Sequence, residues 1–232
     1  MAIVFEPLAP TLAAIAGSSD MFPVRRIYCV GRNYAAHARE MGKDPDRDPP
    51  FFFSKWPETY VPTGQRIAYP ASTHNYHYEI ELVVAIGKGG HSIKEADAKD
   101  HIFGYAAGLD MTRRDLQLDA REKGRPWDTG KNFDEAAPIA PIHTVAENGH
   151  IESGRISLEV NGDVKQNADI RDLIWSVDEI IEHLSALYVL QPGDLIMTGT
   201  PAGVGPVVTG DRLVGKIDGL TSIETTISEQ AF

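Results

Sequence analysis

The chain is poor in cysteine, in basic residues and in long apolar runs, and each shortage removes a class of function. Cys29 is its single cysteine, so no intrachain disulfide can form, which suits a reducing compartment such as the cytoplasm. It lies inside the apolar run Ile27-Tyr28-Cys29-Val30 with no cation beside it, and reads as a small buried hydrophobe rather than a nucleophile. No apolar stretch approaches the roughly 18 residues of a membrane span. The segment Leu12-Ala13-Ala14-Ile15-Ala16 lacks the basic leader of a secretion signal and is preceded by Glu6. Lysine and arginine total 22 against 33 acidic residues, a formal charge of -11, the wrong sign for binding nucleic acid or an anionic membrane. An anionic substrate would need a local cation here, and a bound metal ion is one way to supply it.

What is present suits one substantial core: 232 residues, 42% of them hydrophobic, with no repeat and no linker long enough to mark a second domain. Residues 1–22 read as an N-terminal arm and 23–232 as one domain. Its class is α+β and mostly β, with many short strands punctuated by Gly and Pro and few helices. Arg26 to Val30 reads as a buried strand, and Asn33 then caps a short helix ending near Gly42. The polar segment from Gly42 to Pro50 suits a surface loop that could serve as a lid. From Tyr78 to Ile86 the alternation puts Ile80, Leu82, Val84 and Ile86 on one face and Glu79, Glu81, Val83 and Ala85 on the other. Gly87-Lys88-Gly89-Gly90 reads as a hairpin turn, Ser92 with Glu95 as a capping box, and His101 to Leu109 as a strand ending at Asp110. Thr112 opens a helix through Glu122. Asn161-Gly162 marks a two-residue hairpin, and Ser176 with Glu179 caps an amphipathic helix carrying Val177, Ile180, Ile181, Leu184, Leu187 and Tyr188.

Three groups of residues carry chemistry. Glu79 and Glu81, two apart on a strand, project side by side, and their repulsion is relieved by a cation between them. With Asp110 at the end of another strand, the donors are hard oxygens that suit Mg²⁺, Mn²⁺ or Ca²⁺ better than Zn²⁺. Taken alone, Glu-x-Glu also fits a solvated edge strand. His37 and Glu40, three apart on a helix, could make a base and its orienting carboxylate, though taken alone such a pair is more often an ordinary exposed one. Lys131 follows Gly130 in a loop, where an ammonium could meet a developing oxyanion or simply be solvated. Thr198-Gly199-Thr200-Pro201 offers hydroxyl and backbone N–H donors to a carboxylate, without the ending of a phosphate-binding loop.

Five blocks in register resemble the fumarylacetoacetate hydrolase family. They are Gly31-Arg32-Asn33-Tyr34 with His37 and Glu40; Tyr78-Glu79-Ile80-Glu81-Leu82; Leu109-Asp110-Met111-Thr112 with Arg114, Asp115 and Gln117; Gly124 to Trp127 leading to Gly130-Lys131; and Thr198-Gly199-Thr200-Pro201 with Gly203-Val204-Gly205. The resemblance is greatest to its acylpyruvate hydrolases of the fumarylpyruvate type. It implies a mixed β-sandwich roll, a homodimer, a divalent cation (Mg²⁺ or Mn²⁺, with Ca²⁺ accepted) and a small 2-oxo acid substrate. By resemblance, Glu79, Glu81 and Asp110 hold the metal, His37 with Glu40 activates water, and Lys131 stabilises charge at the scissile carbonyl. Arg32, Asn33, Arg114, Gln117 and Thr200 contact substrate. Trp56 stands between Lys55 and Pro57 where the family often has Lys-Pro, leaving Lys55 without an assigned role. The implied reaction is hydrolysis of fumarylpyruvate to fumarate and pyruvate. Oxaloacetate decarboxylation or hydroxydienoate isomerisation on the same site, and a non-catalytic cation-binding β domain, are the alternatives.

Overall fold

The alternation along Ile80–Ile86 builds the centre of the molecule. In the computed structural model, which describes residues 3–6, 8–36 and 48–229, this strand is buried along its whole length. Ile80, Leu82, Val84 and Ile86 enter one apolar cluster with Ile156, Leu158 and Leu213. Val83 and Ala85 enter a second with Ile27, Leu195 and Met197. A strand that meets hydrophobic partners on both faces has no solvent side, so Glu81 lies inside the protein and not on a solvated edge.

The strand pairs antiparallel with Ile102–Leu109 and with Asp194–Met197. These three lie within an eight-stranded sheet ordered Phe51–Lys55, Arg26–Gly31, Asp194–Met197, Ile80–Ile86, Ile102–Leu109, Ala137–Ile139, Tyr60–Pro62, with His143–Thr144 paired to Ile102–Leu109 off that path. A five-stranded sheet, ordered Asp163–Asp169, Arg155–Val160, Arg212–Ile217, Ile223–Ser228, Arg66–Ala68, shares the first apolar cluster. A small third sheet joins Thr112–Arg113, Tyr76–Tyr78 and Gly205–Pro206. Parallel pairs such as Asp194–Met197 with Arg26–Gly31 make the sheets mixed. At 40% strand and 20% helix, the architecture is the mostly-β class with few helices that the residue pattern implied, in the roll that the resemblance implied. Among the described residues no helix is long and apolar enough to cross a membrane.

Several local signals hold. Asn161 and Gly162 both take positive φ, 53° and 90°, the backbone of a type I′ turn, between Arg155–Val160 and Asp163–Asp169. Ser176 accepts from the Glu179 N–H and the Glu179 carboxylate accepts from the Ser176 N–H, capping the helix Val177–Leu187. Cys29 is fully buried, and burial, then the charge of Asp110, pushes its thiol well above the usual range, which leaves it inert.

Elsewhere tertiary contacts override local pattern. The run from Tyr78 to Ile86 is two strands, because the chain breaks at Glu79 and Tyr76–Tyr78 joins the third sheet. Ser92 caps nothing: its φ is 50°, its N–H donates to the Ser185 carbonyl, and the 3₁₀ helix Glu95–His101 begins after Lys94 with no side-chain cap. That helix separates Gly87–Gly90 from the next strand, so the glycines form a loop in which Gly90 bridges Leu190 and no hairpin turn. The helix expected from Thr112 begins at Arg114, since Thr112–Arg113 pairs with Tyr76–Tyr78 first. Leu187 and Tyr188 do not join the buried face of Val177–Leu187; they are 66% and 43% exposed. Tyr188 already has extended backbone, and its ring packs on Tyr28 at 5.2 Å. Near the N-terminus Leu12–Ala14 pairs with Met21–Pro23, and Ala13 and Phe22 sit in the second cluster.

Candidate metal centre and active site

Sheet register assembles the site. Ile80 pairs with Leu109 and Glu81 with Gly108, and one residue further on the Asp110 N–H donates to the Glu79 carbonyl at 2.9 Å. The side chains of Glu79, Glu81 and Asp110 therefore converge, with one oxygen from each lying within 4.8 Å of the others. All three are buried, at 4%, 2% and 0% exposure, so water cannot screen their repulsion.

Cations and donors crowd round them. Lys131 Nζ donates to Glu79 Oε2 at 2.8 Å, Asp110 Oδ2 at 2.6 Å and Thr112 Oγ1 at 2.8 Å, which occupies its three hydrogens. Burial alone would lower this ammonium's pKa; the charges of Asp110 and Glu79 outweigh it and hold it above its ordinary value. Lys131 is thus a fixed positive charge and not a base near neutral pH. Lys55, left without a role above, is a second buried cation, with Nζ 2.9 Å from Asp110 Oδ1 and donating to the Met111 and Lys131 carbonyls. Arg114 donates to Glu79 and, at 3.3 Å, to Gln117 Oε1. The turn after Asp194–Met197 does offer a donor to a carboxylate, and that carboxylate is Glu81: the Gly199 N–H, at a φ of 101°, donates to Glu81 Oε2 at 2.7 Å.

Glu81 tests whether a metal fits. Burial first, then the charges of Asp110 and Glu79, push its carboxyl well above the usual carboxylate range. A divalent cation would keep all three groups ionised, and an all-oxygen donor set without imidazole or thiolate suits Mg²⁺, Mn²⁺ or Ca²⁺. The residues present fit the ion.

Arg32, Arg114, Gln117 and Thr200 line the small niche over the triad, beside Lys131, Phe53 and Trp127. The Thr200 hydroxyl donates to the Ile80 carbonyl at 2.8 Å and accepts from Gln166 Nε2 at 2.8 Å, so it presents a lone pair to the niche. Asn33 is fully buried and its carboxamide is committed to protein, donating to the Trp175 and Thr198 carbonyls and accepting from the Trp175 N–H. It ties down the Thr198 turn. His37 and Glu40, and most of the Gly42 to Pro50 loop, lie outside the described residues.

Residue pattern alone missed Gln166 and His77. Gln166 is buried, accepts from the Ile80 N–H and holds the Thr200-Pro201 turn. His77 backs Arg114 at 3.5 Å, and burial, then the Arg114 charge, push its imidazole down to about 4, neutral at physiological pH. Neither has a local signal, because each works through a partner many residues away.

A model of the fumarylacetoacetate hydrolase C-terminal domain matches residues 26–228. The chain belongs to the fumarylacetoacetate hydrolase family. Among family relatives, a fumarylpyruvate hydrolase of Ralstonia sp is 53% identical over 192 residues, covering 81% of this chain and 98% of that one. The mouse oxaloacetate tautomerase FAHD1 is 38% identical over 208 residues, 90% of this chain and 94% of its own. The crystal structure of Pseudomonas aeruginosa fumarylpyruvate hydrolase in complex with Mn²⁺ and pyruvate is 54% identical, covers 99% of this chain and 100% of that one, and has a TM-score of 0.97.

Family geometry also explains Gly130. A Cβ there would meet the Gln117 backbone nitrogen and Cβ, both at 2.7 Å, so only glycine lets the short helix Asp128–Lys131 pack on Arg114–Glu122 and aim Lys131 into the triad. Gly130→Ala is expected to lower stability by about 1–3 kcal/mol, read by urea denaturation, and to reduce turnover.

Proposed function

We propose that this chain is a divalent-cation-dependent hydrolase that cleaves the carbon–carbon bond of an acylpyruvate, with fumarylpyruvate as its preferred substrate. The convergence of Glu79, Glu81 and Asp110 beside the buried Lys131 carries the reading, and the fumarylpyruvate hydrolase relatives support it. A bound Mg²⁺ or Mn²⁺ supplies Lewis-acid polarisation and a template for a 2-oxo acid.

The chain's own residues do the rest. Arg114, already forked between Glu79 and Gln117, orients the pyruvyl carboxylate together with Gln117. His37, oriented by Glu40, takes a proton from the attacking water. Lys131, held between Glu79, Asp110 and Thr112, supplies positive charge at the carbonyl oxygen that becomes an oxyanion. The bond between the acyl carbon and the pyruvyl methylene then breaks, its electron pair staying with the pyruvyl fragment, the methylene carbon takes up the proton that His37 removed from water, and a carboxylic acid and pyruvate leave.

The test is to offer fumarylpyruvate, maleylpyruvate, acetylpyruvate and oxaloacetate to the Mn²⁺-loaded protein and rank kcat/KM. Fumarylpyruvate should rank first, and His37→Ala should cut its hydrolysis by about a hundredfold. Tautomerisation of oxaloacetate outranking every hydrolysis, and surviving His37→Ala, would instead favour the chemistry named for the mouse relative, and its decarboxylation doing so would favour a lyase.

A further inference from the structure

Beyond the niche, a cavity of about 890 Å³ opens between the strands Arg26–Gly31 and Phe51–Lys55 and the segment 125–128. It shares Arg32, Phe53, Trp127 and Lys131 with the niche, so one ligand can occupy both. Its volume lies within the range of small-molecule sites. Its charge is the reverse of the chain's: among the described residues Arg26, Arg32, Lys55, Arg125 and Lys131 line it against one carboxylate, Asp128, in a protein of net charge -11.

Most of these cations have partners. Lys55 and Lys131 hold the triad, and Arg26 donates to the Tyr28 hydroxyl at 3.1 Å. Arg32 and Arg125 are different, since neither guanidinium meets a carboxylate among the described residues. Arg32 lies over the faces of Phe51 and Trp127, 5.3 and 5.9 Å from the ring centroids, held there by a backbone φ of 59° that a non-glycine residue seldom adopts. Burial, then the charge of Arg121, lowers its pKa, yet a guanidinium stays protonated. Arg125 is anchored through its own N–H, which donates to the Ala120 carbonyl at 2.8 Å, while its side chain stays exposed at the cavity wall. Phe51 and Phe53 pack on Trp127 with centroids at 5.1 and 5.7 Å, making an aromatic wall along the cavity, and Phe53 and Trp127 continue into the niche.

An acidic protein repels an anionic ligand unless local cations receive it, and two guanidiniums that line this cavity without a carboxylate partner among the described residues have one evident use. We propose that this cavity recognises a carboxylate at the far end of the acyl group, read by Arg32 and Arg125, with Phe51, Phe53 and Trp127 selecting a flat unsaturated chain between the two ends. The substrate is then an elongated dianion, and Arg125 is a specificity residue. The inference rests on the acylpyruvate hydrolase reading above.

Its test compares kcat/KM for fumarylpyruvate, which carries the far carboxylate, with acetylpyruvate, which lacks it, in Mn²⁺-loaded wild type, Arg125→Leu and Arg125→Lys. A charge-assisted bidentate contact predicts that Arg125→Leu lowers the ratio of the two by about ten- to a hundredfold, with Arg125→Lys in between. Because the readout is a ratio, general damage to the fold does not move it. Inhibition by fumarate relative to crotonate, its lookalike with a methyl in place of one carboxylate, should weaken in the same variants. Wild type turning over both substrates with a ratio that Arg125→Leu changes less than about twofold overturns this inference alone. Wild type turning over neither overturns the hydrolase reading and this inference with it.

Discussion

In a Glu81→Gln protein, Mn²⁺-dependent hydrolysis falls by on the order of a thousandfold, while the metal-free protein is as stable as wild type or more so. The two halves of this result have one cause. Glu81 is 2% exposed and faces two other carboxylates, so without a metal its charge is a burden that the neutral amide removes. The amide oxygen can still accept the Gly199 N–H that now reaches Glu81 Oε2, and the local fold survives. What disappears is one of three anionic ligands. Changing a residue that merely orients a ligand costs about 10- to 100-fold in affinity or activity, and removing a ligand itself should exceed that. Calorimetric titration with Mn²⁺ and the metal-induced rise in Tm read the effect directly. Wild-type affinity for Mn²⁺ in this variant would sink the triad as the metal site.

Lys131→Met separates stability from catalysis in the opposite direction. Without this ammonium, Glu79 and Asp110 lose a buried partner at 2.8 and 2.6 Å, and breaking a buried ion pair by removing one side costs about 3–5 kcal/mol. Lys55 and Arg114 remain beside the same carboxylates, which places the expected loss at the low end of that range. Excess Mn²⁺ binds the folded protein and should restore much of the lost Tm by mass action. Turnover should stay down by about a thousandfold under the role proposed for Lys131, since methionine brings no positive charge to the scissile carbonyl. Thermal unfolding with and without Mn²⁺, alongside kcat, checks both halves. A metal-loaded variant keeping a tenth of wild-type kcat would remove Lys131 from the mechanism.

The residue pattern disclosed those features whose determinants lie within a few positions of one another. Asn161-Gly162 turns as a type I′ pair because both residues tolerate positive φ. Ser176 and Glu179 cap their helix because each reaches the other's backbone. The same locality misled at Ser92, whose N–H is taken by Ser185 on a distant helix, and at Thr112, which joins a sheet before the helix begins. Glu79 and Glu81 were visible as a pair, yet on pattern alone a solvated edge was the better home for them.

By itself, the sequence determined the strand-rich class, the alternation along Ile80–Ile86 and the supply of hard oxygen ligands, since these follow from periodicity and residue chemistry. Tertiary structure decided that the carboxylates are buried, that Asp110 meets Glu79 through sheet register, and that Lys55 and Lys131 share their charge. It also decided that Arg32 and Arg125 face one cavity. Charge is a property of a residue, whereas burial and partnership belong to pairs far apart along the chain, and only the packing of one sheet on its neighbours selects them.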